Sequence, residues 1–160
     1  MPRNPKEWMM LTLSLVMSLS IGVLQSAFSL MSSSTWYAFI EKPDFAPPDY
    51  LFIPLWLIIY TAIAFALFLV WRESTWRIDV KLGIRWYLLQ LFFNGLWAIV
   101  FFGLQEPYYA LIIILLLCVS SLLTTIYFFR VSVISGCLMV IYLFFFAYMG
   151  VLNLVVWLLN

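Results

Sequence analysis

Gln90, Asn94 and Trp97 recur at helical spacing in the segment WYLLQLFFNGLWAIVFFG, so the three side chains share roughly one helix face. An amide surrounded by apolar residues costs free energy unless it meets a partner, which directs Gln90 and Asn94 toward protein, water or a ligand. Trp56 and Tyr60 stand on one run, and Tyr142, Phe145, Phe146, Met149 and Asn153 continue one face of another. Such groups stack rings and donate or accept hydrogen bonds. General acid–base or nucleophilic work needs a carboxylate, imidazole or thiolate in place, and none is so placed. The chain has no histidine, and Glu7, Glu41, Asp44, Asp49, Glu73, Asp79 and Glu106 all fall at run ends or in connectors. Cys118 and Cys137 lie inside apolar runs, away from any metal-ligand spacing, and read as buried small hydrophobes. No metal and no cofactor are expected, and no catalytic residue beyond Trp56, whose indole is the one candidate for photochemistry.

The elements that carry these residues are membrane helices. Of 160 residues 66% are hydrophobic and 9% charged, too greasy for a soluble domain. Five uncharged runs, 8–30, 50–71, 86–103, 107–129 and 131–159, are each long enough to span a bilayer. The expected fold is all-α, a single integral membrane bundle of five transmembrane helices. With alternating helices, Arg3, Lys6, Arg72, Arg77, Lys81, Arg85 and Arg130 share one side and Lys42 stands alone on the other. The positive-inside rule then makes the N-terminus cytoplasmic and the C-terminus non-cytoplasmic, in a bacterial cytoplasmic membrane. The same rule accounts for the basic residues, so nucleic acid is excluded as a partner. The absence of an intramembrane carboxylate weakens proton-coupled transport. Ser14, Ser18, Gly22 and Ser26 recur every fourth residue on the first helix, a seam for close packing.

Depth brings the candidates together. Trp56 lies about six residues inside the second run, roughly 9 Å at 1.5 Å per residue, and Trp97 and Asn153 reach a similar depth from the same side. The connector WYAFIEKPDFAPPDY lies above them, stiffened by Pro43, Pro47 and Pro48, and it reads as a lid carrying Trp36 and Tyr37.

These residues resemble the translocator protein or tryptophan-rich sensory protein family, also called peripheral benzodiazepine receptors. The resemblance rests on WY at 36, KP at 42, PP at 47, Trp56, QLFFNGLWAIVFFG from Gln90 and LN at 152, in that order along the chain. It implies a five-helix bundle, often a homodimer, that binds porphyrins, sterols and synthetic aromatic ligands under the first loop, with Tyr37, Trp56, Asn94 and Trp97 lining the pocket. Some bacterial members are reported to degrade protoporphyrin in light, a reaction tied to tryptophans. Three features depart from the family. Phe145 replaces the second indole of the fifth helix, Leu154 and Leu158 replace the Tyr and Arg of a cholesterol motif, and the third helix lacks a small-residue dimer seam. The expected partners are therefore a porphyrin or another hydrophobic small molecule and the membrane lipid. A binding or sensing protein ranks first, a tetrapyrrole or lipid transporter second and a light-dependent porphyrin-degrading enzyme third. The expected ligand residues are Trp36, Tyr37, Trp56, Tyr60, Gln90, Asn94, Trp97, Tyr142, Phe145, Phe146 and Asn153.

Overall fold

The computed structural model describes residues 2, 4–73 and 75–160, with the side chain of Asp49 left out. Arg3, one of the cations used for orientation, lies outside the described residues. The chain forms α1 (Pro5–Ser33), a short α2 (Trp36–Phe39), α3 (Phe52–Trp71), α4 (Ile78–Ala98), α5 (Pro107–Val131) and α6 (Val133–Leu159). Five of these, with α4 extended to Gly103, are long and apolar enough to cross a membrane. The protein is an all-α integral membrane bundle.

Helix ends follow local chemistry. Asn4 caps α1 by accepting the Glu7 N–H at 2.9 Å, Pro5 occupies the first turn, and Pro107 opens α5 where its missing N–H costs nothing. Ser132, extended at φ −151°, separates α5 from α6 and caps the latter through Ser135 N–H. The third span begins at Ile78 rather than Trp86, because Lys81 and Arg85 end the hydropathy run without ending the backbone hydrogen bonding. Both are exposed on its surface.

The spans close into a ring in the order α1, α3, α6, α5, α4, each packed on the next and α4 returning to α1. Trp56, Tyr60, Tyr87, Trp97, Tyr142 and Phe146 fill the middle, all buried. The packing seam of α1 departs from the four-residue repeat. It runs Ser14, Ser18, Gly22 and then Gln25, Ser29 and Ser32, while Ser26 turns partly outward. Four residues advance a helix by more than one turn, so a strict repeat of four drifts off the contact and a step of three restores it. At Gly22 an added Cβ would stand 2.8 Å from Cδ2 of Tyr60, a fully buried ring with no room to step aside. Gly22→Ala should therefore cost about 1–2 kcal/mol of stability through overpacking. Thermal unfolding in detergent micelles reads this, and an unchanged midpoint would show that α1 and α3 separate freely.

A ring-lined pocket under the connector

The third span does not finish as an α-helix. Ile99–Gly103 winds as a π turn, in which Leu104 N–H reaches the Ile99 carbonyl at 2.8 Å. Glu106 N–H then reaches Val100 at 3.1 Å, with Gln105 at φ 61° reversing the chain. The wider turn turns consecutive residues inward, so that Val100, Phe101 and Phe102 are all buried. Gly103 admits Phe28 of α1, whose ring carbon would lie 2.8 Å from a Cβ at that position.

The π turn builds one wall of rings. Trp97 stacks on Phe101 at 5.3 Å and 20°, and meets Phe102 and Phe146 edge-on at 5.7 and 6.5 Å. Tyr37 closes the wall from above, 5.4 Å from Phe102 and 6.3 Å from Phe101, both edge-on. The Trp97 indole donates to Asn153 Oδ1 at 3.0 Å, and the Asn153 amide donates to the Pro107 carbonyl at 2.8 Å. These groups, with Met149 and Leu152, line a pocket roofed by Lys42, Pro43 and Ala46. Lys42 is the one charged residue on that lining and places Nζ 3.9 Å from the centroid of Tyr37. The free space inside is about 10 Å³, close to what a single water needs. The pocket is shut.

Bonds at the surface hold the roof down. Tyr148 donates its hydroxyl to the Phe45 carbonyl at 2.9 Å, and its ring meets Phe45 at 6.4 Å. Asn160 accepts from Glu41 N–H at 3.0 Å and donates to the Glu41 carbonyl at 3.1 Å. All three hydrogen bonds are exposed.

A second polar group lies deeper and belongs to the bundle rather than the pocket. Gln25 donates through Nε2 to Asn94 Oδ1, and Asn94 Nδ2 donates to the Tyr142 hydroxyl at 2.6 Å. One amide thereby ties α1, α4 and α6. Ser18 and the Tyr87 hydroxyl pair at 2.6 Å, and Tyr87 stacks on Phe128 at 5.8 Å and 8°. Trp56 Nε1 and both ends of the Gln90 amide are buried without a hydrogen-bond partner among the described residues.

The structure thus divides the expected ligand residues. Tyr37, Trp97 and Asn153 line the shut pocket, and Phe146 backs Trp97. Trp56 is fully buried, meets Phe102 edge-on at 6.4 Å and does not line the pocket. Tyr60, Gln90, Asn94 and Tyr142 sit in the bundle interior away from the pocket lining. Phe145 is half-buried against Phe146 at 5.3 Å, and Trp36 lies on the outer side of Phe101 at 5.7 Å. Leu154 and Leu158 are exposed. Gln25, Phe101 and Phe102 were not anticipated. Gln25 is an amide in an uncharged run, so the reasoning applied to Gln90 would have found it; the two phenylalanines fall within the QLFFNGLWAIVFFG stretch, but the π turn that aims them inward has no local signature.

A family model described as the TspO/MBR family matches residues 13–158. The chain is 37% identical to the tryptophan-rich protein TspO of Archaeoglobus fulgidus, over 94% of this chain and 96% of that one. To the protein of the same name from Chlorobaculum tepidum it is 33% identical, over 97% and 98% of the two chains. It is 34% identical to the translocator protein of Homo sapiens, over 76% of this chain and 73% of the human one.

Proposed function

We propose, from the premise that this chain belongs to the TspO/MBR family, that it is a membrane receptor for porphyrins of the protoporphyrin IX kind and related flat hydrophobic ligands. The observation that carries the reading is the wall of Tyr37, Trp97, Phe101 and Phe102 beneath the connector residues Lys42, Pro43 and Ala46. A flat aromatic disc gains stacking area on such rings, and Lys42 supplies a charged contact at its edge, while Asn153 stays engaged with Trp97 and Pro107 and holds the wall in place. The buried Trp56 indole N–H, which has no partner among the described residues, is a further donor once Phe102 swings aside. Because the pocket holds about 10 Å³ when shut, binding lifts the connector, and the exposed bonds of Tyr148 and Asn160 set how readily it lifts. In the orientation proposed from the charge distribution, the pocket opens on the non-cytoplasmic side. A reporter fused after Asn160 should accordingly score as non-cytoplasmic and one inserted at residue 75 as cytoplasmic. The reverse at both places would invert the orientation.

The binding test is a titration of protoporphyrin IX into the purified protein in maltoside micelles, followed by tryptophan fluorescence. Saturable quenching at one site per chain is expected, whereas a linear response matching that of empty micelles would refute the assignment. Stopped-flow mixing then examines the roof. Tyr148→Phe removes one exposed hydrogen bond, worth about 0.5–1.5 kcal/mol, so association should accelerate about 2–12-fold while the unfolding midpoint falls only slightly. An unaltered rate would mean that the ligand enters by another route.

A further inference from the structure

On the outer flank of the same end, separate from the shut pocket, lies an open cavity of about 280 Å³. Three rings from three elements line it: Trp36 of α2, Tyr108 of α5 and Trp157 of α6. The Tyr108 and Trp157 rings stand 5.3 Å apart at 48°, neither stacked nor edge-on, so they form two inclined walls. Trp36 is held from behind by its edge-on contact with Phe101. Glu106 is the one charged residue on the lining, and its carboxylate makes no hydrogen bond and no ion pair among the described residues. Lys42, the cation of the neighbouring connector, lines the other pocket over the Tyr37 ring. Asn160 closes the rim, fastened to the backbone of Glu41.

Inclined aromatic faces with one unpaired carboxylate suit a cation that cannot donate hydrogen bonds. The ring quadrupoles attract the positive charge, the carboxylate balances it, and few acceptors are needed. A metal ion would find too few oxygen ligands here. We propose that this cavity binds a quaternary ammonium group, the chemistry shared by a choline lipid headgroup and by small free trialkylammonium compounds. Its place at the ends of α5 and α6, beside exposed Tyr109, is the level at which headgroups meet the protein. An ordinary belt of interfacial rings would need neither the concavity nor the carboxylate.

The test uses the full chain in maltoside micelles free of choline detergent. Ligand-observed NMR titrations compare choline with 3,3-dimethylbutan-1-ol, which has the same shape without the charge. Choline should bind at least tenfold more tightly. Glu106→Gln and Trp157→Leu, both at exposed positions, should each weaken choline at least fivefold while leaving the unfolding midpoint and the protoporphyrin titration as they are. Equal binding of the two isosteres, or choline binding indifferent to both variants, overturns the proposal. Nanodiscs then identify the source. If added choline is excluded in phosphatidylcholine discs and bound in phosphatidylglycerol discs, a lipid headgroup occupies the site. Binding in both assigns it to a free cation.

Discussion

Asn94→Leu should lower the stability of the ligand-free protein by about 3 kcal/mol, read as a fall in the unfolding midpoint. Its amide accepts from Gln25 and donates to Tyr142, and all three residues are buried. Interhelical hydrogen bonds in membranes are modest, averaging about 0.6 kcal/mol, so the bonds alone do not carry the figure. The larger part comes from stranding the Gln25 amide and the Tyr142 hydroxyl without partners, at about 1–3 kcal/mol each. A double variant that also replaces Gln25 with leucine removes one stranded group, so it should recover part of the loss and show coupling of about 1 kcal/mol. Protoporphyrin affinity in Asn94→Leu, measured below its lowered midpoint, should stay within about threefold of the unaltered chain, because both ends of the amide are already taken by protein. A full-strength midpoint, or a selective loss of affinity, would place Asn94 in the binding site instead.

Trp97→Leu should do the reverse, striking binding as well as stability. The indole is 1% exposed, stacks on Phe101, meets Phe102 and Phe146 edge-on and donates to Asn153. Large-to-small replacement of a buried tryptophan costs about 3–5 kcal/mol for alanine, and leucine refills part of that space, which leaves about 2–3 kcal/mol. Protoporphyrin affinity should drop at least tenfold as the wall loses its largest face. Trp97→Phe separates the two roles. It keeps a ring and loses the donor, so affinity should hold within about threefold while stability falls by about 1 kcal/mol. If Trp97→Leu, once folded, binds protoporphyrin as the unaltered chain does, the pocket under the connector is not the porphyrin site.

The five spans were legible in the sequence because membrane insertion reduces to length and hydropathy, and the chain keeps its charges out of every run. Boundaries were less legible. Charges end a hydropathy run at Trp86, but a helix can continue past the membrane surface, so α4 begins at Ile78. Trp97 and Asn153, which line the pocket under the connector, were brought together by depth and side-chain type, and Tyr37 by its place in the connector and the family resemblance. Depth alone cannot say which way a ring faces around the helix axis, and Trp56, expected at the same level, packs on Phe102 without reaching the pocket lining. Asn94 was identified as needing a partner, but Gln25 lies 69 residues away in sequence. No local pattern pairs residues at that separation.

The polar ties of α4 also impose an order on biosynthesis. Asn94 and Trp97 find partners in Tyr142 and Asn153, both on α6, the last of the five spans to leave the ribosome. The indole and its acceptor are 56 residues apart, so at roughly 5–20 residues per second the donor waits about 3–11 s inside the membrane or its insertion machinery. Through that interval α4 carries the Asn94 amide N–H and the Trp97 indole N–H without their acceptors, although the Asn94 carbonyl can already accept from Gln25 of α1. A nascent chain halted after α5 would keep both donors unsatisfied. Arrival of α6 supplies both acceptors, so the bonds that tie α4 to α6 are among the last the bundle can form.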